Sequence, residues 1–297
     1  MIVFFNGEFV DKSQATVSVD DRGFLFGDGV YEVFRATDGA LFAADRHLRR
    51  LANGLADLEF TRPAALDDAA LLAAARRVLQ DNGLTRGDAL VYLQITRGVA
   101  ERRHHFPPPG TAPTVFLSAS RLVVPDELRA RGAAAITTAD LRWERCDLKT
   151  VNLLPNVLAK EQAVAAGAFE ALLVRDGIVT EGASSNLFAV IAGKLHTHPP
   201  THRILAGITR EVVLELAAEL AIPVVLEPIT RAALSTASEV MITATTADVM
   251  PVVSVDGSRV GDGRPGGVAR RLHAGLRARM DALTARAPAG GGPARSA

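Results

Sequence analysis

Near the middle of the chain stands Arg145-Cys146-Asp147-Leu148-Lys149-Thr150-Val151-Asn152-Leu153-Leu154-Pro155, and its lysine sets the reading of everything around it. The chain has 33 basic residues, of which only four are lysine: Lys12, Lys149, Lys160 and Lys194. Lys12 falls in a polar turn, Lys194 in the turn of a hairpin, and Lys160 on the solvated face of a helix. Lys149 differs, because Leu148, Val151, Leu153 and Leu154 flank it with apolar side chains that disfavour an ammonium. A neutral lysine amine is a nucleophile that condenses with carbonyls, and its commonest cofactor partner is pyridoxal 5′-phosphate (PLP). The alternative is a buried structural lysine.

Downstream of Lys149 a helix is expected over 156–166, stopped by Gly167, and then a meander of strands over 169–174, 178–181 and 186–191. Glu181 ends one of these strands in Thr180-Glu181-Gly182-Ala183-Ser184-Ser185-Asn186. It is either a turn carboxylate or the anion that keeps a PLP ring nitrogen protonated. Ala206-Gly207-Ile208-Thr209-Arg210 opens a helix, where backbone N–H groups and a hydroxyl make a ready anion site, although capping alone also explains Thr209. A buried strand over 239–243 ends in Thr243-Ala244-Thr245-Thr246, a second hydroxyl-rich turn able to hold phosphate. A hairpin around Asp256-Gly257 and a last helix over 268–283 follow.

Upstream, the first segment reads as strand and hairpin, with Tyr31, Val33 and Arg35 on one face of a strand over 29–35. Glycines 23, 27 and 29 do not make a dinucleotide loop, since a strand follows them where that loop needs a helix. Two helices come next: one with a Leu48, Leu51, Leu55, Leu58 stripe and Asp45 as N-cap, the other over 67–79. Arg50 lies off the stripe and reads as a solvated arginine. After a strand over 91–96, Glu101-Arg102-Arg103-His104-His105 sits in a polar loop, either a carboxylate site or a solvated charged loop.

Zero formal charge argues against nucleic acid or an anionic membrane surface as the main partner. No stretch approaches membrane-spanning length, the N-terminus lacks the basic region of a signal peptide, and the single Cys146 rules out an internal disulfide framework, so a reducing cytoplasm is expected. His196, His198 and His202 cluster without an acidic ligand at usable spacing, so no metal is expected.

Several long motifs in one order, Asp21-Arg22-Gly23 with Phe26-Gly27-Asp28-Gly29-Val30-Tyr31-Glu32-Val33, Arg142 to Lys149, Thr180 to Asn186, and Gly207-Ile208-Thr209-Arg210, resemble the class IV, fold type IV PLP aminotransferases. The resemblance runs from about Asn6 to about Leu283 and is strongest to the D-amino-acid aminotransferases within that family. It implies a two-domain α+β and α/β fold with the cofactor between the domains: an N-terminal α+β domain over 1–119, a linker over 120–131, a PLP-binding domain over 132–286 and a disordered tail over 287–297. It also implies roles. Lys149 would be the imine-forming and catalytic lysine, Glu181 the partner of the ring nitrogen, and Arg50, Ile208, Thr209, Thr245 and Thr246 the phosphate cup, with Leu205 against the ring. Arg102 and His104 match an Arg-x-His pattern that, with Tyr31, would trap the substrate carboxylate from the partner subunit of a homodimer. Glu101 departs from that pattern by placing a negative charge beside an anion site.

The expected reaction is a ping-pong transamination of D-amino acids of the D-alanine or D-glutamate type, with 2-oxoglutarate or pyruvate as acceptor. A branched-chain L-amino-acid aminotransferase would need a different carboxylate site, and a 4-amino-4-deoxychorismate lyase would release pyruvate without an acceptor.

Overall fold

The structure, a computed structural model, describes residues 1–60 and 66–286. The tail expected to be disordered, 287–297, lies outside the described residues. The chain runs β1 (Ile2–Phe5), β2 (Glu8–Asp11), α1 (Arg22–Phe26), β3 (Gly29–Thr37), β4 (Ala40–Leu41), α2 (Ala44–Asp57), α3 (Asp68–Asp81), β5 (Asp88–Thr96) and β6 (Thr114–Arg121). These strands form one sheet in the order β2-β1-β6-β5-β3-β4. The long partners β3 and β5 pair antiparallel in unbroken register from Gly29 opposite Thr96 to Thr37 opposite Asp88.

The stretch between the sheets, expected as a linker, contains α4 (Asp126–Arg131). Next come β7 (Ala133–Ala139), α5 (Leu154–Ala165), β8 (Glu170–Arg175), β9 (Ile178–Gly182), β10 (Asn186–Ile191), β11 (Lys194–Thr197), α6 (Ile208–Glu219), β12 (Val224–Leu226), β13 (Ile229–Thr230), α7 (Arg231–Leu234), β14 (Glu239–Ala244), β15 (Asp248–Val255), β16 (Ser258–Arg259) and α8 (Gly267–Arg286). They build a mixed sheet, β12-β11-β10-β14-β15-β7-β8-β9-β13, with β16 on β15. Among the described residues no helix is long and apolar enough to cross a membrane.

Alternation along β3 explains how the first layer closes. Phe34 and Ala36 pack with Leu48, Leu51 and Leu55 of α2 and with Val78 and Leu79 of α3. Each such buried leucine is worth about 1.5–3 kcal/mol relative to exposure. The opposite face carries Tyr31 and Val33 toward the second sheet. Two features then lock the sheets together. Phe42, between β4 and α2, belongs to the second domain's core with Phe188, Val212 and Leu272. Arg35, 1% exposed, ion-pairs with Asp88 of its own sheet (2.9 Å) and with the fully buried Asp248 of β15.

Local expectations change at two places. The weak alternation over 9–19 suggests a strand, but β2 ends at Asp11, and Arg22–Phe26, to which the sequence assigns no element, is helical, capped by the Asp21 carboxylate on Gly23 N and stopped by Gly27 at φ 66°. Asp45 lies in the first turn of α2 instead of capping it. Ala43 holds the cap position at φ 50° with no side-chain bond, next to the Phe42 that is drawn into the other core.

Candidate active site

A cavity of about 390 Å³ opens between the two sheets, within the usual size range of small-molecule sites. It collects Tyr31, Arg50, Lys149, Glu181, Leu205, Ile208, Thr209, Thr245 and Thr246 from opposite ends of the sequence.

Lys149 is placed by backbone pairing. The first residues of β3 have no strand on one side, and the lysine segment fills that edge: Tyr31 N donates to Lys149 O (3.0 Å) and Val151 N to Gly29 O (3.0 Å). The side chain then projects over the Tyr31 ring, with Nζ 4.2 Å from its centroid. The apolar flank expected from sequence is only half present. Leu148 is buried, but Leu154 is 68% exposed because it starts α5. Among the described residues the Lys149 amine makes no hydrogen bond or ion pair, so it stands free in the cavity with one aromatic face beside it.

Glu181 lies on β9 at the cavity floor. Arg142 pairs with its Oε1, Asn186 Nδ2 donates to Oε2 (2.8 Å), and Leu205 N donates to both oxygens (3.2 and 3.1 Å). Burial pushes its carboxyl up to about 7 in spite of Arg142. Arg142 is itself clamped by Asp140, at 2.9 Å to each oxygen. The glutamate is thus an anion that is costly to hold and is aimed where a ring N–H would relieve it.

Arg50 extends from α2 into the cavity, so the solvated reading is excluded. Its Nε and one terminal nitrogen grip the two oxygens of Glu32 (2.7 Å each), and the other terminal nitrogen donates to Ala206 O (2.9 Å). A guanidinium has five N–H donors, so two remain for a ligand. Glu32 is fully buried and also accepts His47 Nδ1 at 2.7 Å. Burial opposes ionisation of Glu32, but Arg50 and His47 outweigh it and hold the carboxyl at about 2. Burial lowers His47 despite its bond to Glu32.

Facing Arg50 is the start of α6. Gly207 occupies its N-cap without a side-chain bond to the first-turn amides, and Ile208 and Thr209 follow it, buried. A Cβ on Gly207 would lie 2.0 Å from Asn186 Oδ1, so only glycine lets the helix end approach the residue that holds Glu181. Thr243 Oγ1 lacks a hydrogen-bond partner and lines the same cavity. The hydroxyls of Thr245 and Thr246, in the turn after β14, are likewise unbonded among the described residues. An orphaned hydroxyl, uncapped amides and two spare guanidinium N–H groups fit a phosphate. The free amine of Lys149 and the buried carboxylate of Glu181 fit the carbonyl and ring nitrogen of PLP.

Two residues expected to reach the site from a partner subunit lie apart from this chain's own cavity. Arg102 and His104 are exposed on the loop after β5 and do not line their own chain's cavity. Both rest on Phe26, with the Arg102 guanidinium 5.2 Å and the His104 ring 5.6 Å from the ring centroid. Glu101, the suspect charge, is occupied by Arg103 (2.9 Å), and Arg102 has no carboxylate partner among the described residues.

Glu32, His47, Arg142 and Asn186 take part in the site without a role assigned from the sequence, whereas Thr243 belongs to the hydroxyl-rich turn already read there. Glu32 carries a usable signal, as a carboxylate on the core-facing side of a strand demands a buried cation.

Known proteins supply the remaining evidence. The family model for amino-transferase class IV matches residues 29–255. The D-alanine aminotransferase of Staphylococcus epidermidis is 44% identical over 274 residues, covering 92% of this chain and 96% of its own. The D-alanine aminotransferase of Bacillus licheniformis is 41% identical over 276 residues, covering 93% and 96%. Among solved structures, the branched-chain amino acid aminotransferase of T.th. with pyridoxamine 5′-phosphate superposes with a TM-score of 0.84 at 31% identity, covering 97% of this chain and 95% of that one. With that match over most of its length and a cavity furnished for the cofactor, the chain belongs to the class IV aminotransferases, a family of PLP enzymes.

Proposed function

We propose that the protein transfers amino groups between D-amino acids and 2-oxo acids, with Lys149 as its catalytic base and the substrate carboxylate held by Tyr31 together with Arg102 and His104 of the partner subunit in a homodimer. The observation that carries this reading is the free Lys149 amine facing the same cavity as the buried Glu181, with Arg50 and the α6 N-terminus at its other end.

Bound PLP supplies an electron sink for the bonds around the substrate Cα. Lys149 Nζ would remove the Cα proton and return it two atoms along, to the cofactor carbon beyond the substrate nitrogen, a general acid–base role that its freedom from other partners permits. The Glu181 carboxylate would hold a proton at the ring nitrogen, and Arg142, itself clamped by Asp140, aims that carboxylate and offsets part of the burial that disfavours its charge. Arg50 and the first amides of α6 anchor the phosphate, with Glu32 and Ala206 O fixing the guanidinium so that no reorganisation is needed on binding. Tyr31 walls the cavity beside the lysine.

For the D-series, the support is the unpaired Arg102 beside His104 and the 44% and 41% identity to D-alanine aminotransferases. The second reading, a branched-chain L-amino-acid aminotransferase, is favoured by the 31% identical structural relative. Arg102→Ala separates them: KM for D-alanine should rise about tenfold or more, the scale of one lost charge-assisted bond, with PLP affinity unchanged. An unchanged KM returns the loop to a solvated role and leaves the branched-chain reading in front.

A further inference from the structure

The Asp21-Arg22-Gly23 motif lies outside the cavity, and neither the phosphate cup nor the lysine uses it. Beyond its own neighbourhood its contacts reach the loop over 97–113 that carries Arg102 and His104, and the two strand ends that bear this loop. Asp21 is fully buried, and its Oδ2 accepts hydroxyls from Thr96 (2.9 Å) and Thr114 (2.6 Å). Thr96 ends β5 and Thr114 begins β6, so one carboxylate clamps both stems of the loop. The stems are held tightly: a Cβ on Gly23 would lie 2.3 Å from Thr96 Cγ2, and one on Gly98 would lie 1.9 Å from Ala112 O.

Arg22, 3% exposed, grips the body of the loop. Its N–H donates to Gly98 O (2.9 Å), its Nε to Asp28 Oδ2 (2.8 Å) and a terminal nitrogen to Arg103 O (2.7 Å), the carbonyl between Arg102 and His104. Asp28 Oδ2 also accepts Arg97 Nε (2.8 Å), and the Arg97 guanidinium is packed against the rings of Phe60 and Phe106 at 4.2 and 3.8 Å. Under the loop tip, the Phe26 ring takes the Arg22 guanidinium at 4.8 Å and the Arg102 guanidinium at 5.2 Å, with the His104 ring alongside. The five residues of α1 and their cap therefore form a mount. Asp21 closes the stems, Arg22 ties down the backbone, and Phe26 carries the two side chains.

We propose that Arg22 is a positioning residue for the substrate carboxylate, fixing the backbone at Arg103 so that Phe26 presents Arg102 and His104 as a unit. This rests on the reading that Arg102 receives that carboxylate. A merely structural Arg22 would stabilise the β5–β6 stems, a task Asp21 already performs, and would not discriminate among substrates.

The test compares kcat/KM for D-alanine with that for D-alaninamide, whose carboxylate is replaced by a neutral amide, in the PLP-loaded enzyme and in Arg22→Met, Arg102→Ala and the double variant. The preference for the carboxylate substrate should fall about tenfold in Arg22→Met, on the scale of one bond to a charged group, and mainly through KM. The double variant should be no worse than Arg102→Ala, because the two residues act through one contact. PLP affinity should stay within about twofold of wild type, and amide hydrogen exchange across 97–113 should quicken. If Arg102→Ala lowers the preference while Arg22→Met leaves it at the wild-type value, the positioning role is overturned and the carboxylate reading stands. If Arg102→Ala leaves it unchanged, the carboxylate reading fails and takes this proposal with it. Should Arg22→Met yield no folded holoenzyme, Phe26→Leu, which removes the ring and keeps most of its packing, must lower the preference in the same way, and an unchanged value there overturns the mount.

Discussion

Replacing Glu181 by glutamine in the PLP-free protein should change how stability depends on pH. Burial lifts the Glu181 carboxyl from an ordinary 4.5 to about 7. A shift of that size, at about 1.4 kcal/mol per pKa unit, amounts to about 3 kcal/mol. Its sign follows from proton counts. Between about 4.5 and 7 the folded protein keeps a proton that the unfolded chain has released, so stability falls as pH rises through that window. The contribution is fully present below 4.5 and lost above about 7. Glutamine cannot titrate, so the variant should lose this term, and the difference in unfolding free energy, variant minus wild type, should climb by about 3 kcal/mol from pH 4.5 to pH 8. A pH-independent offset comes with it, since the glutamine amide meets Asn186 Nδ2 where the carboxylate accepted a bond, while Arg142 keeps both oxygens of Asp140. The difference also cancels the buried His47 and His198, which burial lowers and which titrate with the opposite sign below 6.5. Urea unfolding across the pH series measures it. A difference that stays flat to within about 1 kcal/mol would refute the reasoning that Glu181 is held as a costly anion, and a falling difference would mean that Arg142 over-compensates it.

Other outcomes follow from the same geometry. Lys149→Ala should still bind PLP through the phosphate cup yet lose several orders of magnitude in turnover, checked by dialysis against cofactor and by steady-state rates. Glu32→Gln frees Arg50 from its bidentate grip and should weaken PLP binding about tenfold, read by equilibrium titration; because Glu32 is held at about 2, acid should also cost the wild type stability as pH falls from about 4.5 toward 2, a loss the variant escapes. Gly207→Ala drives a methyl group into Asn186 Oδ1 and should impair PLP affinity and turnover together, with near-wild-type values in both showing that the helix end can retreat.

What could be read from the sequence was local. The motifs around Lys149, Glu181 and Gly207 carry the turn and helix-start chemistry that places each of them, and their order in the chain signals the family. The strands read over 29–35 and 91–96 are present, each extended at one end, as Gly29–Thr37 and Asp88–Thr96. What escaped was pairing at a distance. Arg50 looks solvated until Glu32, 18 residues earlier, meets it across a strand and a helix. Arg142 finds Glu181 at a separation of 39, and Arg35 finds Asp248 at 213. Short-range periodicity holds no information on such contacts, which depend on how the two sheets face each other. An apolar flank for the lysine follows, in the sequence, from its immediate neighbours. In the fold Leu154 turns outward with α5, and the Tyr31 ring from the other domain takes that place.

The measurement that bears most directly on the central claim is the visible spectrum of the purified PLP-loaded enzyme, recorded after D-alanine and, separately, after L-leucine. Loss of the cofactor's visible band with D-alanine alone, restored by a 2-oxo acid, is the predicted result. A response confined to L-leucine would contradict the account, keeping the cofactor site and removing Arg102 and His104 from it.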